Sequence, residues 1–436
     1  MRRPISGLFI VAAIAAATSA AAAEIEELSI ASSLTYGYAG EANVSLQGEI
    51  EVEPFIEVAL RERTSIVASA RIRLDDPDEL EPGRYIYDTY SGASRPANLG
   101  DAGSAEIRDF YLELRSEKGL ARLGKQQIVW GRLDGIKVLD LVNPQDFREF
   151  IMDDSGDSRI GLWSAYFDYS FGKLRTELAV VPDGTGHAIP ERGAWYELTA
   201  PRFRFGTSLN QGSLPVTTAA PSLSLYDAGV GLRLSRQLGP MGFSAVAYSG
   251  MDPEPLGRII SVGGETLVER FFARRKALGL SFDVGLGATV LRAEYAFQPD
   301  RAFNTRVNSQ LATLELDQHR GAIGLDVDGP LGVFINIQFL ADTVTDAPPG
   351  LVRPAADRIG TLYLRRTFAY DTFAVEARLY RSFTDRDQLA SINIKYAISD
   401  STSIELGAEH FSGVSEGLFG QFVDRDRVTI SLRHTF

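Results

Sequence analysis

The sequence contains no cysteine, so a disulfide scaffold, a zinc–thiolate cluster and a redox pair are all closed to it. Histidine is almost as scarce: there are 4 in 436 residues, and none stands in the H-x-H or HExxH spacing that would hold a metal. Positive charge is short as well. The 44 Lys and Arg face 57 Asp and Glu for a net charge of -13, which offers no footprint for nucleic acid. Beyond the first two dozen residues there is no apolar run of the roughly 20 residues that a helical membrane span requires. Ser/Pro linkers, low-complexity tracts and fixed-period repeats are missing too, so nothing divides the chain into domains. No phosphate loop and no βαβ pattern supports nucleotide binding, and no cofactor is implied.

The first residues, "MRRPISGLFIVAAIAAATSAAAAEIEE", carry two arginines, an apolar run and Ala21-Ala22-Ala23 just before Glu24. That layout predicts a cleaved secretory signal over residues 1–23, followed by a single exported domain over 24–436.

Period two then runs along the chain. In "SIVASARIRL", Ile66, Ala68, Ala70, Ile72 and Leu74 share one face, and Ser65, Val67, Ser69, Arg71 and Arg73 the other, because successive strand side chains point to opposite sides. "FINIQF", "DTFAVEARLY" and "LASINIKYAI" alternate in the same way. Strands of about ten residues, apolar outward and polar inward, predict an all-β transmembrane antiparallel up-and-down β-barrel. Short turns near Glu62, Glu117-Lys118-Gly119, Phe171-Gly172, Gly239-Pro240, Asp328-Gly329-Pro330, Tyr370-Asp371 and Asp400-Ser401 alternate with long connections. These lie near 75–104, 131–157, 182–192, 211–224, 251–271, 299–317, 343–356 and 412–424, with one brief turn near Asp385. The parity predicts periplasmic termini and about 18 strands. A pair of strands around Pro201 would raise the number to 20, and 16 remains compatible. The closing strand has Val428, Ile430, Leu432, His434 and Phe436 on one face, and its aromatic end resembles the assembly signal that the barrel-assembly machinery reads.

Both signs of charge occupy the polar faces. Arg71 and Arg73 are followed by Asp109, Glu113 and Arg115, then Arg233, then Arg292 with Glu294. Glu376 with Arg378, Lys395, Glu405 with Glu409, and Arg427 with Arg433 complete the set. Opposed charges could fill a plugged lumen, but a barrel of this strand number is too wide for side chains alone to pack its centre. The segment 131–157, "GRLDGIKVLDLVNPQDFREFIMDDSGD", is a long extracellular connection whose Ile136, Val138, Leu139, Leu141 and Val142 want a surface to cover. It is expected to fold inward as a constriction, with Arg132, Lys137, Arg148 and Arg159 set against Asp134, Asp140, Asp146 and Glu149. A lid on the rim or a subunit contact is the other reading. Asn143 should cap a helical turn through "PQDFREF", with Pro144 at its first position. Arg132 and Arg148 would pair with Asp134 and Asp146, whereas Arg365 and Arg366 lie on a distant strand.

At this stretch the sequence resembles a large family of proteobacterial outer-membrane barrels of poorly defined function, distantly related to the alginate-export barrel. Gly124, Gln126, Trp130-Gly131 and Val142-Asn143-Pro144 carry the resemblance, together with Phe419-Gly420, Asp424, Asp426-Arg427 and Phe436 in the closing hairpin. The resemblance implies an integral outer-membrane barrel that transports a small or hydrophobic compound or a saccharide. A mixed-charge interior fits a strongly anionic polymer poorly, since that would want an uninterrupted arginine lining.

The expected function is therefore a porin-like channel for small solutes in a Gram-negative outer membrane. Its surroundings would be outer-membrane lipid and lipopolysaccharide, and association into a homo-oligomer is compatible with it. The competing class is a lipid-modifying serine hydrolase using His410 and Ser412, which share a strand face two residues apart near an outer strand end. That reading lacks an identified acid to orient the histidine. Calcium on Asp153, Asp154 and Asp157 is a weaker idea, because acid clusters are usually solvated.

Overall fold

The computed structural model describes residues 23–133, 135–152, 158–206, 214–308 and 310–436. Eighteen strands form a closed antiparallel barrel. The first nine are β1 (Glu24–Ala39), β2 (Val44–Arg61), β3 (Thr64–Asp75), β4 (Gly103–Ser116), β5 (Gly119–Gln126), β6 (Leu162–Phe171), β7 (Leu174–Val181), β8 (Gly229–Leu238) and β9 (Met241–Met251). The second nine are β10 (Arg274–Leu286), β11 (Thr289–Val307), β12 (Gln310–Asp328), β13 (Phe334–Val344), β14 (Ala356–Phe368), β15 (Phe373–Ser382), β16 (Asp387–Ala397), β17 (Thr402–Ser412) and β18 (Arg427–Thr435). Closure is made by β18 on β1, in register from Ala31 opposite Thr435 to Tyr38 opposite Val428. No sheet edge is left open in the wall, as hydrocarbon demands of unpaired backbone groups. There is no α-helix among the described residues.

The alternation read from sequence sorts the two faces of the wall. On β18 the outward Val428, Ile430 and Leu432 are exposed, while Arg427 and Ser431 are buried inside. On β13, Ile337 and Phe339 face out, and Asn336, Gln338 and Asp342 face in. Near the short turns the outward face carries an aromatic row. Tyr169 lies 4.7 Å from Phe171, Phe243 5.1 Å from Phe282, and Phe368 6.0 Å from Phe373, the placement that aromatic side chains take at a bilayer interface. Two of the tight turns need glycine. Gly172 and Gly287 have φ of +63° and +65°, a region that a Cβ disfavours.

Three features differ from the sequence reading. Residues 201–206 around Pro201 form consecutive turns, and among the described residues no barrel strand lies between β7 and β8, so the expected pair there is not found. The hairpin at residues 40–43 and the turn at Gly287-Ala288 supply the connections that restore parity. Residues 299–317 are mostly strand, because β11 and β12 run on beyond the rest of the wall after a register shift between Gln298 and Arg301. That extension carries a second small sheet of Val216–Thr218, Leu256–Val262 and Glu265–Phe271, joined to it by the Asn304 side chain, which exchanges 2.8 Å hydrogen bonds with Gly257.

Candidate channel constriction

The connection 127–161 leaves β5 and turns into the barrel because its apolar side chains find holes in the inner wall. Gly231 on β8, Gly279 on β10 and Gly324 on β12 face inward. A Cβ on them would stand 2.4 Å from Trp130, 2.3 Å from Leu139 and 2.7 Å from Leu133 respectively. Trp130 and Leu139 are fully buried as a result, in one cluster with Val138, Leu141 and Val142 of the segment and Leu162, Ala179 and Val246 of the wall. Glycine within a strand marks such close approaches, and "GVGLRL", "LGLSF" and "AIGLD" were the sequence signal for them.

Polar groups fasten the same side. The Arg132 guanidinium pairs with Asp283, and Glu294 accepts the backbone N–H groups of Arg132 and of Leu139, the latter at 3.0 Å. Arg275 donates to the Leu141 carbonyl at 2.6 Å. Asn143 does not cap a helix. Its Oδ1 accepts the Ile128 N–H at 2.7 Å and its Nδ2 donates to the Ile160 carbonyl at 2.7 Å, so it staples the two ends of the connection together. Residues 145 and 146 bridge to 159 and 188, a pairing incompatible with a helical turn there.

The segment then meets the opposite wall. Arg148, buried, reaches Glu49 at 2.6 Å, Glu81 at 2.8 Å, Glu149 at 3.3 Å and Asp75 at 3.7 Å. Glu149 is 2.6 Å from Arg427, which also holds Glu409 at 2.9 Å. Burial raises the Glu149 carboxyl, but Arg427 and Arg148 outweigh it and hold the group below the usual carboxylate range. These contacts correct the expected counter-charges. Asp134 lies outside the described residues, Arg132 is bound by Asp283 of β10, and Asp146 reaches Arg73 of β3 at 3.7 Å while accepting only the backbone N–H of Arg148. Arg148 is therefore buried and paired with carboxylates, not an open charge. Arg159 binds Asp140 at 2.7 Å.

The remaining candidates distribute along the inner wall. Arg71 contacts Glu53 at 2.5 Å and Glu51 at 3.4 Å; Arg73 contacts Glu51 at 2.8 Å. Glu113 takes both Arg115 and Arg122, Arg233 meets Glu177 at 3.2 Å, and Arg292 meets Asp326. Arg378 lies 3.4 Å from Glu376, Arg365 pairs with the same glutamate at 3.5 Å, and Lys395 is exposed opposite Glu405. Arg366 instead stacks over Phe368.

Between the segment and the wall of β12–β15 remains a cavity of about 640 Å³. Its lining runs from Phe334, the first residue after a short turn, to Leu418 and Phe419 in the last long connection. A second, charged cavity of about 330 Å³ lies against β1–β3 and β16–β18, and Arg378 lines both. Of the lining groups outside the strands, burial pushes the Lys137 ammonium down to about 8 and the His187 imidazole down to about 4. His187, neutral therefore near neutrality, accepts the Gln145 N–H on Nδ1 at 2.8 Å. His319 is on the outward face of β12, stacked 4.9 Å from Phe297.

His410 is exposed, and its Nδ1 is bound by Asp426, the orienting acid that sequence did not reveal. Among the described residues, however, Ser412 Oγ makes no hydrogen bond, so the pair lacks the link from nucleophile to base that acyl transfer needs. Asp153, Asp154 and Asp157 lie outside the described residues. Phe436 extends past β18, its backbone N–H bonded to the Ile30 carbonyl at 3.0 Å.

Residues 84–322, which contain the whole crossing segment and β4–β11, match the family described as "Protein of unknown function (DUF1302)". The chain belongs to that family. Among solved structures, this DUF1302 barrel is similar to OccAB3 of Acinetobacter baumannii, with a TM-score of 0.53 at 10% identity over 95% of this chain and 99% of that one. OccAB1 of the same organism gives 0.52 at 8% identity over 95% and 96%. OpdK of Pseudomonas aeruginosa, solved with vanillate, gives 0.50 at 8% identity over 94% and 98%. At these identities the likeness is one of fold. No curated protein matches the sequence.

Proposed function

We propose that the chain is a porin-like channel of a Gram-negative outer membrane, through which small organic solutes pass by diffusion beside the 127–161 segment. The observation that carries this reading is the combination of a closed 18-strand wall with an inward segment that leaves a lined cavity from the turn end to the loop end. The outward aliphatic face and its aromatic row fit outer-membrane lipid and lipopolysaccharide, with the short turns and both termini toward the periplasm. Delivery would be by the barrel-assembly machinery, acting on the closing strand that ends at Phe436. The cavity is amphipathic, which favours small compounds with an apolar body over an anionic polysaccharide.

Refolded protein in planar bilayers tests this. Discrete unitary current steps are expected, and folded barrels that never conduct would refute the reading in favour of a plugged structural barrel.

A further inference from the structure

The 640 Å³ cavity has the size of a small-molecule site, within the roughly 300–1,000 Å³ usual for such pockets, and its two sides differ chemically. We propose, resting on the channel reading above, that it is a selective subsite for amphipathic monoanions, molecules with an apolar ring or short chain and one carboxylate, and that Lys137 Nζ receives the carboxylate.

The facing wall supplies the apolar half: Phe334, Leu340, Ile359, Tyr363 and Tyr380, from β13, β14 and β15. The segment supplies the charge. The Lys137 ammonium is held by two neutral acceptors, Gln145 Oε1 and Ser158 Oγ, the second at 3.5 Å, and both acceptors line the same cavity. An ammonium has three donors, and acceptors among the described residues take two of them. No carboxylate lies within 4 Å of Lys137 among the described residues.

Among the described residues the lining has two acids, each with an arginine partner, and Asp140 acts on Lys137 through space without pairing with it. Asp140 is taken by Arg159 at 2.7 Å and Asp146 by Arg73 at 3.7 Å, and neither arginine lines the cavity. Among the described residues the bases of the lining are Lys137, Arg275, Arg320 and Arg378, with His187 neutral. Arg320 shares Asp342, at 3.3 Å, with Arg353 at 3.0 Å, which leaves that cluster with a positive excess as well. A cation would be repelled from such a space, and a neutral solute would leave the ammonium desolvated without a counter-charge. An apolar carboxylate satisfies both halves. The ammonium titrates near 8 because it is desolvated, so the site carries its charge at neutral pH and loses it under mildly alkaline conditions.

The test is uptake into proteoliposomes of benzoate, benzamide and benzylammonium, with KCl conductance of the wild-type channel recorded in parallel. At about pH 7 benzoate is expected to permeate faster than benzamide by about tenfold, the equivalent of one charge-assisted hydrogen bond, with benzylammonium slowest. Lys137→Gln should remove that ratio and Lys137→Arg should restore it. Wild-type protein at about pH 9.5 should lose it too, since benzoate and benzamide do not change charge there while the lysine does. This arm needs no variant to fold. A wild-type channel that conducts KCl but admits benzoate and benzamide equally, or keeps its preference at alkaline pH, would overturn the subsite and leave the channel standing. Absence of KCl conductance would overturn the channel itself.

Discussion

Replacing Arg148 by methionine removes a cation, 4% exposed, that meets Glu49, Glu81, Glu149 and Asp75 at the point where the crossing segment touches the β2–β3 wall. Methionine preserves most of the stem volume, so the loss is electrostatic. Breaking a buried ion pair by removing one partner costs about 3–5 kcal/mol, because the other charge stays buried without compensation. The barrel itself should not bear that cost. Its wall is closed by backbone pairing, and the near side of the segment keeps Asn143, Arg132 and the apolar seat of Trp130 and Leu139. The cost falls on the arm around residues 145–152, which keeps Glu149 on Arg427 and Gln47, Asp146 on Arg73 and the packing of Phe150 on Phe419 and Phe422. At about 1.4 kcal/mol per tenfold, the latched population should fall by two to three orders of magnitude relative to the unlatched one. Unlatching joins the 640 Å³ cavity to the 330 Å³ one across Arg378. Single-channel recording of Arg148→Met should therefore show frequent excursions to a higher conductance level, and protease added to the detergent-solubilised barrel should cut near Phe147 sooner than in wild type. Wild-type conductance and noise, in protein whose electrophoretic mobility still shifts on heating, would refute the latch.

Gly279→Val should force Leu139 out of its seat at a cost of about 1–3 kcal/mol, lowering thermal stability of the segment and raising mean conductance; an unchanged conductance histogram would show that the glycine hole does not position it. In intact cells, external protease should cut exposed long connections such as residues 214–226 and spare Glu117-Lys118, and cleavage at that turn with the barrel intact would reverse the assigned orientation.

The β18 alternation, the short turns and the mixed-charge inner faces were legible in sequence because they depend on local periodicity: a strand shows its two faces to any reader who knows the period is two. The strand number was reached from the same periodicity, although the turns around Pro201 imitate a hairpin and the connections at 40–43 and Gly287-Ala288 were not read. The inward tendency of the 131–157 segment was legible in its apolar side chains, which no water-exposed loop requires.

Partners were not legible. Arg132 and Asp283 lie 151 residues apart, Arg427 and Glu149 278, and which charges meet is fixed by the register of strands that are neighbours only after closure. A one-residue slip would turn Asp283 or Glu294 to the lipid face and leave the same sequence with a different interior. Lys137 illustrates the limit most directly. Sequence placed it among a row of interchangeable charges. Tertiary structure gave Asp140 to Arg159 and Asp146 to Arg73, and so left Lys137 facing the cavity with two neutral acceptors. Period and composition determined that the chain would build a two-faced wall, since those follow from each residue and its near neighbours; only closure of that wall decided which charges meet on its inner side.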